Sequence, residues 1–143
     1  MERPDPESPQ AHRRAWARSV HALLAAAGAS PELALLGTAQ AAVESGWGRQ
    51  RLGNNLWGIK PVADQPFVLG RPELREFPTL FAAAKAWLYL PRVSSLYRSA
   101  RERLNHALLH APTPEHALAA WRAFYADFAA LYCPTNPAYP DLV

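Results

Sequence analysis

Two segments of the chain share one form: a hydroxyl residue, then proline, then glutamate. They are Ser30-Pro31-Glu32 and Thr113-Pro114-Glu115. The hydroxyl accepts a hydrogen bond from the open N–H groups of a first helical turn. The proline sits where its missing N–H has no partner to lose, and the acid faces the positive end of the helix dipole. Each segment therefore starts a helix. The first is expected to run to about Glu44, where Gly46 and Gly48 end it, and the second to about Leu131. Thr79 caps a helix over about residues 80–90, interrupted by Pro91, and a further helix covers about 93–110. Ahead of Ser30, the residues Trp16, Val20, Leu23, Leu24 and Ala27 recur on one face of an amphipathic helix over about residues 9–28, with Gly28 as its stop. Between the helices, residues 45–78 hold glycines, prolines and short β-prone pieces such as Phe67-Val68-Leu69, and read as a small irregular or β-containing lobe. The expected fold class is mostly α (α+β), with that lobe inserted after the second helix.

Residues 1–10 are polar and proline-rich and read as a flexible N-terminal arm, which leaves residues 11–143 as a single domain. Half of the 143 residues are hydrophobic, enough for a real core. No apolar run approaches the roughly 20 residues that span a bilayer. Arg13, Arg14 and Arg18 followed by HALLAAAGA imitate a secretory leader, but the apolar part is short, carries His21 and begins far from residue 1. Synthesis without a signal peptide is the expectation. The single cysteine, Cys133, excludes an internal disulfide and a cysteine-based zinc site. A net charge of +3 fits an anionic partner without choosing one.

The informative stretch is Ala39 to Lys60, AQAAVESGWGRQRLGNNLWGIK, with Glu44 at its centre. By helix spacing Glu44 shares a face with Gly37, Gln40 and Ala41, all small or neutral, which leaves room for a substrate beside the carboxyl group. Glu44 also closes its helix, where the dipole is negative, and Trp47 stands close in sequence. Both features favour the protonated acid that a general acid requires.

AQAAVESGWG followed by NNLWGIK resembles the signature of the glucosaminidase family of peptidoglycan hydrolases, which includes bacterial autolysins, the wall-cutting domain of flagellar rod-assembly proteins, and phage endolysins. Val43 stands where the family has Leu, and Trp57 where it has Phe. Leu74-Arg75-Glu76-Phe77 resembles the family's Phe-Arg-x-Tyr. The tail LYCPTNPAY resembles its Tyr-Ala-Thr-Asp-Pro-x-Tyr, with one extra residue after Tyr132 and Asn136 in place of Asp. The resemblance implies a lysozyme-like fold, a helical lobe and a small lobe with a cleft between them. It implies cleavage of the β-1,4 bonds of the GlcNAc-MurNAc strand, as an endo-β-N-acetylglucosaminidase, with a lytic transglycosylase or muramidase as the alternative on the same fold. It assigns Glu44 as the catalytic acid and Tyr132 as a cleft-facing catalytic tyrosine, and gives Trp47, Asn54, Asn55, Trp57 and Tyr139 to substrate binding. Amides suit N-acetyl and hydroxyl groups, and indole faces suit pyranose rings. Core packing and turn formation are the competing roles for these tryptophans and asparagines.

A two-carboxylate glycosidase needs a second acid. Asp64, Glu73 and Glu76 are the candidates, and Glu73 occupies the place that the resemblance gives to it. Alternatively one acid suffices, with assistance from the N-acetyl group or with an anhydro-sugar product. No cofactor is expected. His106 and His110 stand four apart on a helix with His116 nearby, but no HExxH and no third ligand accompanies them, so no metal centre is assigned. Bacterial peptidoglycan is the expected partner of a monomer, acting at the cell wall or periplasm after phage-type release or export by another route. Arg98, Arg101 and Arg103 offer contact with an anionic wall or membrane surface. The rival classes are a helix-turn-helix DNA-binding protein and a non-catalytic wall-binding domain. The turn-rich Asn-Asn-Leu-Trp-Gly-Ile-Lys segment has no place after a recognition helix, so no nucleic acid is expected.

Overall fold

The computed structural model describes residues 8–49, 53–61, 65–68 and 71–133. Five helices dominate it: α1 (Pro9–Ala26), α2 (Pro31–Ser45), α3 (Leu80–Arg92), α4 (Arg98–Leu109) and α5 (Pro114–Tyr132). Two short strands, β1 (Phe67–Val68) and β2 (Arg71–Arg75), pair antiparallel with an irregular register. The chain is mostly helical, as its sequence punctuation implies. Among the described residues no helix is long and apolar enough to cross a membrane.

The helix starts follow from local chemistry. Ser8, Ser30 and Thr113 each cap a helix whose first turn contains proline, and each hydroxyl accepts a backbone N–H three residues on. Ser8 places the start of α1 inside the stretch expected to be an arm; residues 1–7 lie outside the described residues. Pro91 does not end α3, which continues to Arg92. The Pro91 carbonyl instead accepts from Arg101 Nη1 at 2.9 Å, and Arg101 Nη2 reaches Ser94 O at 3.2 Å. Arg103 pairs with Asp127 at 3.2 Å. Two of the three arginines read as a wall-facing run thus hold the protein's own groups.

The chain divides into two compact units, Met1–Leu88 and Tyr89–Val143, with the boundary inside α3. In the first unit Val20 and Leu24 of α1, Leu33 and Leu36 of α2, and Trp87 of α3 are buried together with Leu56 and Trp57. Gly37 has a specific role in this core. A Cβ there would lie 2.7 Å from Leu24 Cδ1 and 2.8 Å from Trp87 Cζ3. Gly→Ala inside a helix normally stabilises by about 1 kcal/mol, whereas overpacking costs about 1–3 kcal/mol. Neither neighbour is a loose side-chain end, so overpacking wins. Gly37→Ala is expected to lower the urea midpoint, by up to about 2 kcal/mol of stability, despite its better helix propensity.

The second unit is built on aromatic stacking. Tyr97 lies against Phe128 with ring centres 4.4 Å apart, and Phe128 continues to Phe124 at 6.1 Å and to Tyr132 at 5.8 Å. Burial pushes the Tyr97 hydroxyl up to about 12.

Candidate active site

Glu44 is the penultimate residue of α2 and is half-buried. The turn that follows is determined residue by residue. Ser45 is buried; its hydroxyl donates to Ala41 O at 2.6 Å and accepts the Gly48 N–H at 3.0 Å. Gly46 takes the left-handed conformation that closes the helix, and its N–H and that of Trp47 both reach Ala42 O. Trp47 is also left-handed, at φ 59°, the one non-glycine in that region among the described residues. Such a conformation is costly for a bulky side chain and persists only under external restraint. α1 supplies the restraint. Trp16 meets the Trp47 ring edge-on at 5.8 Å, the Arg13 guanidinium lies 5.3 Å from its centre, and the His12 ring nitrogen Nε2 is 3.2 Å from Trp47 O. Gly48 must be glycine, since its φ is +81° and a Cβ would collide with Trp16 Nε1. Trp47 is thus braced against α1.

The loop carrying Asn54, Asn55 and Trp57 comes to the same helix. Trp57 is fully buried, donates from Nε1 to Gly37 O at 2.8 Å and stacks on Trp87 at 6.2 Å. Trp87 in turn donates to Gln40 Oε1 at 2.6 Å. The small face of α2, read from the sequence as room for a substrate, is therefore filled by two indoles. Trp57 is corrected from substrate contact to core, because a ring with no exposed surface cannot meet a sugar.

Asn55 is corrected likewise. It is 4% exposed, and its amide is committed to backbone: Nδ2 donates to Ile59 O and Arg75 O, and Oδ1 accepts Ile59 N–H. It ties the loop to the end of β2. Asn54 is half-buried and donates from Nδ2 to Phe77 O at 2.8 Å. What the loop does bring to Glu44 is Gly58. With φ +65°, Gly58 is placed so that a Cβ would stand 3.0 Å from Glu44 Oε2. The absent side chain is the space in which the carboxylate lies, so the two halves of the sequence signature meet at this group.

The second-carboxylate candidates fare differently. Glu73 is exposed on β2 and is bonded to the Arg71 guanidinium, which holds its carboxyl below the usual value. Its carboxylate thus stands in an exposed ion pair on the strand. Glu76 uses one oxygen to accept the N–H groups of Asn54 at 3.2 Å and Phe77 at 2.9 Å, and a Cβ on Gly53 would collide with it. Asp64 and Tyr139 lie outside the described residues. Tyr132 closes α5 in the second unit, half-buried and stacked on Phe128.

A hollow of about 300 Å³ opens in the first unit beside the braced turn, lined by Trp16, Val20, Leu23, Gly48, Leu56 and Leu80 among others. Its described lining is mainly apolar and does not include Glu44. Sequence reasoning missed His12, Arg13 and Gly58 as the surroundings of the Glu44 turn. For Gly58 the signal was present: a glycine in a motif, five residues after Gly53, with no helix to end.

No family model, curated protein or solved structure matches the chain.

Proposed function

We propose that this protein is a peptidoglycan hydrolase that cleaves β-1,4 bonds of the GlcNAc-MurNAc strand, with Glu44 as the general acid. The observation that carries the reading is the placement of the Glu44 carboxylate over Gly58. It joins ESGWG and NNLWG, the two motifs of the glucosaminidase resemblance, around one half-exposed acid. Glu44 would protonate the glycosidic oxygen as the C1–O bond breaks, and would then take a proton from the incoming nucleophile. The finer expectation of a lysozyme-like cleft belongs to this proposal, as do peptidoglycan as the partner and action at the cell wall. Trp47, in the turn that closes Glu44's own helix, keeps its proposed place beside that acid.

Of the three candidates for a second acid, the two among the described residues, Glu73 and Glu76, are engaged elsewhere, which leaves a single-acid mechanism or Asp64 as the partner of Glu44. Glu73 faces solvent with Arg71, and Glu76 holds its own loop. Attack by water, assisted by the N-acetyl group, gives a reducing sugar. Attack by the C6 hydroxyl of MurNAc gives an anhydro-sugar, the lytic transglycosylase outcome. Purified sacculi treated with the protein and analysed by mass spectrometry separate these products. Intact sacculi after prolonged treatment with folded protein would refute the proposal. Glu73→Gln is expected to retain activity within about threefold of the parent, because an exposed pair with Arg71 contributes little to anything beyond itself. Turbidity loss on the same sacculi checks it.

A further inference from the structure

His106 and His110 occupy the last turn and the cap position of α4, in the second unit, four residues apart on one helical face. Both side chains are exposed, and their ring centres lie 4.5 Å apart with the planes tilted by 53°. An ion bonded at about 2.1 Å to one nitrogen of each imidazole sits roughly 3.2 Å from each ring centre, so ring centres 4.5 Å apart are close enough for both imidazoles to bind one ion. A bidentate pair of this kind takes two neighbouring positions of a square-planar or octahedral ion.

We propose that His106 and His110 form a two-imidazole surface chelate for copper(II) or nickel(II). Imidazole is the borderline donor that these ions prefer, and a pair spaced i, i+4 on a helix offers it bidentately. The end of the helix helps, since its last carbonyls concentrate negative potential where the cation would sit. Glu102, one turn before His106 on the same stripe, adds a carboxylate to the approach. The nearest cation along the helix, Arg103, is paired with Asp127. Among the described residues no cluster of three or more His, Cys, Asp or Glu side chains is placed to hold a metal. The ion's other positions are therefore left to water or to a small external ligand, as in an open site. His116 does not belong to the pair: its Nδ1 is bonded to Thr113 Oγ1 at 2.6 Å.

This inference is independent of the proposed hydrolase activity. The test is calorimetric titration of the tag-free full chain with copper(II), nickel(II) and zinc(II) chloride, with electron paramagnetic resonance of the copper sample. One equivalent of copper is expected to bind with two-nitrogen coordination, most tightly of the three, with nickel ahead of zinc. His106→Ala and His110→Ala should each weaken copper binding at least tenfold, and His116→Ala should leave it unchanged. Glutamine variants at the two positions repeat the loss without altering helix propensity, and circular dichroism melts establish that they fold. Parent-like copper binding in folded variants of either position overturns the proposal, and so does zinc bound more tightly than nickel.

Discussion

Glu44→Gln is expected to remove wall lysis by about 10²–10⁴-fold while leaving the thermal melt within a degree or two of the parent. The substitution keeps the volume and removes only the proton that a general acid delivers. The turn around it is held by other groups. Ser45 locks the helix end, Gly46 and Gly48 supply the left-handed backbone, and Trp47 is braced by His12, Arg13 and Trp16. An amide in place of the carboxylate fits the same space over Gly58. With the turn held by these groups, the melt should report little of the change and activity most of it. Turbidity loss of sacculi and product release, measured on the same preparations as the melts, decide the matter. Lysis within a few-fold of the parent in a folded variant would remove Glu44 from the mechanism and the hydrolase reading with it.

The helices were legible because their signals are local. A hydroxyl followed by proline acts within one turn, and Ser30 and Thr113 mark the starts of α2 and α5 to the residue. The end of α2 was equally local, since Gly46 alone can take the closing conformation at no steric cost. The roles of Trp57 and Asn55 were not legible, because they depend on what the loop meets. An indole that can stack on a pyranose can also stack on Trp87, and an amide that can hold an N-acetyl group can also hold Ile59 and Arg75. The sequence carries no sign of which partner is present. The small face of α2 was misread for the same reason: Gly37 is small to admit Trp87, not a ligand. Glu73 could have been placed from the sequence. In a strand, residues two apart share a face, and Arg71 is its neighbour on that rule.

Trp57→Ala should be strongly destabilising, at about 3–5 kcal/mol. The indole has no exposed surface, so its loss leaves a cavity beside Trp87. It also removes the N–H that Gly37 O accepts at 2.8 Å in the interior. A buried acceptor left without its partner adds about 1–3 kcal/mol, partly included in that figure. Against a typical domain stability of about 5–15 kcal/mol, the variant should unfold at much lower urea. Trp57→Phe gives a graded control: it keeps an aromatic ring against Trp87 and loses the hydrogen bond, for about 1–2 kcal/mol. A sugar-stacking role predicts the reverse order of effects, with both variants as stable as the parent and weaker binding of sacculi in Trp57→Ala alone. Circular dichroism through a urea series, which does not depend on the fluorescence of the residue replaced, separates the two. A parent-like midpoint in Trp57→Ala would mean that the loop does not pack on α2 as described, and would withdraw the placement of Gly58 beside Glu44 on which the site rests.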